Sequence, residues 1–161
     1  MGIAGAAILI AGRALYRPQR PSTSRVLDER GVELIAALAP AVLAGSLPAE
    51  PSARAAAIQE VVEAFDQAVA GLSPAVQSEL RDLFGLLCFA PARVVLAGVW
   101  SPWSEAGESA VAEFLSRWGT SRFDLLRAGC QALTQLLQAA WYGNPRAWGA
   151  IGYSGPPKLP A

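Results

Sequence analysis

The stretch SARAAAIQEVVEAFDQAVA, residues 52–70, decides the fold class of this chain. Its bulky apolar residues recur at the i, i+3, i+4 and i+7 spacing of one helix face, while its acidic and amide side chains lie off that stripe. The stripe consists of Ile58, Val61, Val62, Phe65 and Val69. This spacing predicts an amphipathic helix with one face buried against a neighbour.

The following residues indicate where this helix stops and another starts. Gly71 stands at a typical helix end. Ser73 and Pro74 are a typical start, since serine caps the first turn and proline is tolerated at the first helical position. The helix that begins there is predicted to end at Pro91. Its apolar stripe contains Val76, Leu80, Leu83, Phe84 and Leu87.

Two further segments flank this pair of helices. Residues 28–44 predict a helix that Pro40 kinks or ends early, because proline lacks the backbone N–H that continues the hydrogen-bond ladder. Residues 91–98 are apolar and partly β-branched, and their pattern does not separate a short helix from a strand. The helical surroundings favour a short helix.

The C-terminal half of the body predicts two more helices. Residues 107–118 form one, which Gly119 closes. The other runs from a cap at Thr120 or Ser121 to about Tyr142. Its inward side is expected to carry Phe123, Leu126, Cys130, Leu133, Leu137 and Trp141.

Together these segments predict an all-α fold, an irregular bundle of five to six helices over residues 26–142. Two ends of different composition flank it. Residues 143–161 hold four glycines and four prolines, which excludes helix for most of them and predicts an extended, partner-binding tail. Residues 1–25 form a short hydrophobic segment followed by a basic, proline-containing linker.

The hydrophobic segment, residues 2–11, is too short to span a bilayer, which needs about 20 apolar residues. Its length suits the apolar part of a signal peptide, but the basic residues that should precede one are missing. Two explanations stay open. Either the true start lies upstream, or the segment is an anchor that docks on a partner or on a membrane through residues 2–16.

Composition argues against several kinds of chemistry. The chain has no histidine, and Cys88 and Cys130 alone do not make a zinc site. We expect two buried free thiols, although export would permit a disulfide. Thirteen basic residues balance thirteen acidic ones, which argues against nucleic-acid binding. Sequence motifs of nucleotide, phosphate-loop and covalent haem sites are absent.

Three carboxylates share one flank of the helix at residues 52–70. Glu60, Glu63 and Asp66 are spaced at i, i+3 and i+6, so a catalytic carboxylate pair stays open as an interpretation. A solvated acidic face is the preferred one. We therefore predict no catalytic, cofactor-binding or metal-binding residue in this chain.

Aromatic residues are the most informative feature left. Trp100 and Trp103 bracket a Ser-Pro step, and Trp141, Tyr142, Trp148 and Tyr153 cluster near the C-terminus. Tryptophan and tyrosine join a large apolar area to one polar atom, which enriches them at interfaces. They either plug the ends of the bundle or contact a partner, and the two roles can coexist.

Three strings resemble a known family: AWYGNPRAW at 140–148, IGYSGPP at 151–157 and GVWSPW at 98–103. Over residues 28–157 the chain resembles the small accessory subunits, often with a twin-arginine signal, of FAD-dependent oxidoreductases of the glucose-methanol-choline type. It is similar more distantly to gluconate 2-dehydrogenase subunit 3. One departure is that the basic twin-arginine region is absent.

The resemblance implies a complex in which a large subunit carries FAD and oxidises an alcohol, a sugar or a related substrate. A cytochrome c subunit often takes the electrons, and the small subunit binds no cofactor while it assists maturation and twin-arginine export to the periplasm. The implied partner-interface residues are Trp100, Pro102, Trp103, Trp141, Tyr142, Asn144, Pro145, Trp148, Ile151, Tyr153, Pro156 and Pro157.

A second hypothesis belongs to a different class. The chain would be a stand-alone helical protein that binds a small ligand, or a carboxylate-based enzyme. Its apolar pocket would then be rimmed by Trp100, Trp103 and Trp148.

Overall fold

The computed structural model describes residues 26–149 and 152–155. This part of the chain is all-helical, as predicted, and holds no β-strand. Its α-helical segments are α1 Glu29–Val42, α2 Pro51–Ala70, α3 Pro74–Cys88, α4 Ala90–Ala92, α5 Glu108–Gly119, α6 Asp124–Tyr142 and α7 Pro145–Trp148. The π-helix Arg93–Ala97 continues α4, and the 3₁₀ turn Trp103–Glu105 precedes α5.

Capping side chains set the starts of α2 and α3. The Ser73 hydroxyl accepts the N–H of Val76, so the predicted cap of α3 is confirmed. Helix α2 begins one residue earlier than predicted because Glu50 caps it. The Glu50 carboxylate accepts the backbone N–H groups of Ser52 and Ala53, which would otherwise lack partners in the first turn.

The start of α6 differs from the predicted one. Neither Thr120 nor Ser121 caps it, because the Ser121 hydroxyl accepts the N–H of Phe123 and the helix begins only at Asp124. Phe123 therefore precedes the first turn and does not share its inward stripe. Its side chain is exposed, so the prediction that it faces the core is wrong.

Helix α1 lies at the centre of the bundle. It contacts α2, α3, α5, α6 and the 3₁₀ turn, and it continues two residues past Pro40 to end at Val42. A proline this close to the end of a helix removes a single hydrogen bond. The helix therefore ends only two residues before the limit of the predicted segment, residue 44. The buried residues of α1 are Gly31, Leu34, Ile35, Leu38 and Ala39.

Two carboxylates on the acidic flank of α2 bind segments near the two ends of the described chain. Asp66 Oδ1 accepts the backbone N–H groups of Val26 and Leu27 at 2.9 and 2.8 Å. Glu60 binds side chains of the segment that follows α6, while Glu63 is exposed. The solvated-face interpretation is therefore correct for Glu63 and wrong for the two carboxylates that hold the chain ends.

The predicted extended tail, residues 143–161, begins with a short helix. Pro145–Trp148 is a helical turn, because Asn144 accepts the N–H of Arg146 as its cap and proline occupies the first helical position. Ala147 is fully buried against the body. Ile151, Pro156 and Pro157 lie outside the described residues, as does the whole of the predicted segment 1–25.

Candidate partner interface

Trp103 belongs to the interior of the bundle. Its indole Nε1–H donates to the Leu87 carbonyl at 2.9 Å, and its ring lies 5.7 Å from that of Phe114. Only 4% of the residue is accessible. The side chain therefore joins the end of α3 to α5 beneath α1, and it offers no surface to a second protein in this conformation.

Trp141 is buried as well, near the C-terminal end of α6. Among residues 26–149 and 152–155, no atom accepts a hydrogen bond from its Nε1–H. The ring lines a recess of about 260 Å³, together with the 45–48 loop, the first half of α2 and Arg146. An unpaired buried donor is unfavourable. The indole of Trp141 thus lacks the hydrogen bond that the indole of Trp103 makes.

Three aromatic residues form an exposed platform next to Trp141. Tyr142 and Tyr153 are 37% and 47% accessible, and Trp148 is half-buried. The Trp148 indole donates to the Tyr142 carbonyl at 2.9 Å, and the Trp148 and Tyr153 rings meet edge to face at 5.3 Å. We name Tyr142, Trp148 and Tyr153 the aromatic platform.

Glu60 holds the platform in place. Its two carboxylate oxygens accept from Asn144 Nδ2 at 2.8 Å and from Arg146 Nη1 at 2.6 Å. The chain turns back after α7, with Gly152 at φ +68° and the Tyr153 N–H donating to the Trp148 carbonyl. Glycine is suited to this left-handed conformation. Pro145, which the resemblance implies as a partner-interface residue, is exposed in the first turn of α7.

Trp100 lies away from the platform. It is 82% accessible and follows the segment 93–99, whose carbonyls at Leu96 and Ala97 accept from Trp118 Nε1 and Arg117 at the end of α5. Helix α6 starts five residues after α5 and is about 28 Å long at 1.5 Å per residue. Tyr142 is the last residue of α6. The predicted interface residues therefore lie in two places, near Trp100 at the start of α6 and on the platform at its end. Pro102 is exposed beside Trp100.

The pocket that the second hypothesis requires is not formed by the three tryptophans it names. A second recess, of about 220 Å³, lies between the start of α1 and α3 and is mostly apolar. Neither recess is lined by Trp100, Trp103 or Trp148. Trp103 is inside the bundle, while Trp100 and Trp148 project from different elements.

Some exposed apolar residues were not predicted as interface candidates. Val95 and Leu125 are 81% and 82% accessible, and Phe123 is also exposed. Their sequence signal is weak, because a single apolar residue in a helical segment fits a buried position equally well. Gly98 has a left-handed conformation, at φ +63°, and ends the π-helical segment that contains Val95.

The two cysteines are free thiols in different surroundings. Cys130 is buried and Cys88 half-buried. The Cys88 thiol donates to the Arg30 carbonyl at 3.6 Å, and the Cys130 thiol donates to the Leu115 carbonyl at 3.5 Å. Burial raises the pKa of both thiols above the ordinary value, and the nearby Asp28 carboxylate raises that of Cys88 further.

Both thiols are expected to react with iodoacetamide more slowly in the native protein than in urea, because the thiolate is the nucleophile. The same pKa shifts make folding pH-dependent. The folded state retains the thiol protons more tightly, so their contribution to stability is complete below the ordinary pKa of about 8.5 and falls as pH rises through the folded values. Mass spectrometry of alkylated peptides at neutral and alkaline pH measures the rates. Equal rates in native and unfolded protein would contradict the expectation.

Residues 26–149 and 152–155 contain no group of three or more His, Cys, Asp and Glu side chains placed to hold a metal ion. No helix among them has the length and apolarity needed to cross a membrane. Comparison of the chain with protein-family models, curated proteins and solved structures finds no match.

Proposed function

We propose that this chain is a non-catalytic small subunit that binds, stabilises and helps to export or mature a FAD-dependent dehydrogenase acting on alcohols, sugars or related substrates. The observation that carries the proposal is the aromatic platform. Tyr142, Trp148 and Tyr153 are held in a defined arrangement and remain partly exposed. This combination is typical of the residues that dominate binding energy in protein interfaces.

The platform is organised before any partner binds. Glu60 anchors Asn144 and Arg146 on either side of Pro145, and the Trp148 indole is already hydrogen-bonded. Ordering rotamer-rich side chains opposes association by about 0.5–1.5 kcal/mol for each one. A partner that covers a preorganised platform avoids most of that loss, so a small aromatic surface can support specific binding.

The division of labour follows from the resemblance. The large subunit holds FAD and selects the substrate, and a cytochrome c subunit receives the electrons. The small subunit contributes surface burial, for which a specific interface typically uses about 800 Å² on each side. Export of the folded complex places it in the periplasm or on the periplasmic face of the inner membrane.

Co-expression of the flavoprotein with and without this chain tests the proposal. We expect the chain to raise the yield, FAD content and export of the large subunit. Tyr153→Ser should weaken the binding free energy for the flavoprotein by about 2 kcal/mol, roughly a thirtyfold rise in Kd, because it removes an exposed platform ring. Titration of one purified subunit into the other by calorimetry measures the loss.

Phe123→Ser is the matched control, since it removes an exposed ring at the opposite end of α6. It should leave flavoprotein binding within about twofold of the unmodified chain. Equal flavoprotein yield, FAD content and export with and without the chain would refute the proposed function. If Tyr153→Ser binds the flavoprotein as tightly as the unmodified chain does, the platform is not the binding surface.

A further inference from the structure

A second exposed apolar surface lies where the end of α5 meets the π-helical segment. We name residues 93–100 and 117–127 the basic corner. Val95, Trp100 and Leu125 are each more than 80% accessible there, and Phe123 is 56% accessible. The platform residues Tyr142 and Tyr153 lie at and after the C-terminal end of α6, whereas Phe123 and Leu125 lie at its start, so the basic corner is a separate surface.

The backbone of the basic corner is well fixed. Arg117 donates to the Ala97 carbonyl, Trp118 Nε1 donates to the Leu96 carbonyl at 3.1 Å, and Arg93 Nε donates to the Val99 carbonyl at 3.3 Å. The first two bonds join the π-helical segment to the last turn of α5, and the third lies within residues 93–99. Helix α5 in turn packs against α6, so the exposed apolar side chains of both segments stand on elements that contact one another.

Charge is distributed unevenly over the described chain. The basic corner carries four arginines and a single carboxylate, Asp124, which pairs with Arg127. The remaining described residues carry four arginines and twelve carboxylates. Arg93 and Arg117 bind backbone carbonyls and not carboxylates, and the Arg122 guanidinium lies 4.9 Å from the centre of the Phe123 ring. A surface that complements this corner must be anionic and must accept apolar side chains.

We propose that the basic corner docks on the surface of a bilayer that contains anionic phospholipid. Arginine guanidinium groups bind lipid phosphates in a bidentate manner, tryptophan prefers the level of the headgroups, and isolated leucine, valine and phenylalanine side chains enter the acyl boundary. Neither of the two recesses described above is lined by these residues. They project singly, and a fluid bilayer accommodates such projections without a matching pocket.

This inference goes beyond the proposed function and does not depend on it. Binding of the flavoprotein uses the platform, whereas docking on lipid uses the opposite end of α6. Lipid binding is measured with this chain alone, so failure of one proposal leaves the other standing.

Co-sedimentation of the full chain with vesicles tests the docking. The probes are vesicles of phosphatidylcholine alone and of phosphatidylcholine with phosphatidylglycerol. We expect partitioning into the anionic vesicles to exceed that into the neutral ones and to fall as salt is added. Leu125→Glu should lower the partition coefficient by about tenfold or more, and Arg122→Gln by about fivefold.

Arg54→Gln is the matched control for the loss of one positive charge. Arg54 pairs with Glu108, at the end of α5 that is remote from Arg117, and its removal should change partitioning by less than about twofold. Every variant retains residues 1–25, so any contribution from the N-terminal segment is common to all of them.

Brominated acyl chains give a local readout at Trp100. The other four tryptophans, Trp103, Trp118, Trp141 and Trp148, are buried or half-buried. Brominated anionic vesicles should quench the fluorescence of the unmodified chain, and Trp100→Phe should abolish that quenching while it preserves sedimentation. An N-terminal anchor alone would not bring Trp100 to the acyl chains.

Three outcomes would overturn the proposal. The first is equal partitioning into neutral and anionic vesicles, and the second is unchanged partitioning of both Leu125→Glu and Arg122→Gln. The third is an absence of Trp100 quenching, or of any vesicle binding, which would assign the basic corner to an acidic protein surface instead.

Discussion

Replacing Phe114 by alanine is expected to lower the free energy of unfolding by about 4 kcal/mol, within the range for large-to-small changes at buried phenylalanines. Phe114 is completely inaccessible. Its ring lies 5.7 Å from that of Trp103 and 4.7 Å, edge to face, from that of Trp118. The substitution therefore leaves a cavity between two large rings, each held by its own indole hydrogen bond to a backbone carbonyl. Because those bonds limit collapse, we expect little relaxation.

Urea unfolding followed by circular dichroism measures the change. For a chain of this length the melting temperature should fall by about 10 °C. Phe123→Ala is the matched control, because it removes the same side chain from an exposed position, and it should change stability by less than about 0.5 kcal/mol. Similar losses for the two variants would show that Phe114 is not at the centre of the core.

Replacing Gly98 by alanine is expected to destabilise the fold by about 2–3 kcal/mol. Gly98 has φ +63°, a conformation that strains any residue with a Cβ atom. A Cβ atom there would also lie 2.9 Å from Arg117 Cζ and would displace the guanidinium. The charged hydrogen bond from Arg117 to the Ala97 carbonyl would then be lost, and such bonds contribute about 1.5–3 kcal/mol.

Substitutions at two other glycines distinguish backbone strain from displacement of the Arg117 guanidinium. Gly45 has φ +80° and open space where a Cβ atom would lie, so Gly45→Ala should show the backbone strain alone, about 1 kcal/mol. Gly85 lies in α3 with equally open space, and Gly85→Ala should stabilise the protein by about 0.5–1 kcal/mol. If Gly98→Ala destabilises no more than Gly45→Ala, the Arg117 contact contributes nothing measurable.

Much of the helical framework could be predicted because its determinants are local. The stripe of α2 needs only the 3.6-residue repeat, and the start of α3 needs only Ser73 and Pro74. The predicted start of α6 is wrong because Ser121 has two possible partners. Its hydroxyl caps the backbone of Phe123 and not a first helical turn, and sequence alone does not rank these alternatives.

The candidate interface was harder to predict than the framework. Trp100 and Trp103 are equivalent by composition and are separated by two residues, yet one is 82% accessible and the other 4%. The difference arises because the 3₁₀ turn carries Trp103 to the Leu87 carbonyl and the Phe114 ring. Val95 and Leu125 are exposed, but the sequence does not distinguish them from the neighbouring apolar residues that pack inward.

The sequence by itself determined the helical class, most helix positions and the presence of aromatic residues near the C-terminus, because hydrogen bonding within a helix and apolar periodicity are properties of neighbouring residues. The tertiary structure alone decided which of those aromatics are accessible, that Glu60 anchors the platform, and that the arginines at residues 93 and 117–127 come together. Burial and charge clustering depend on surfaces contributed by distant parts of the chain, and no local pattern encodes which surfaces meet.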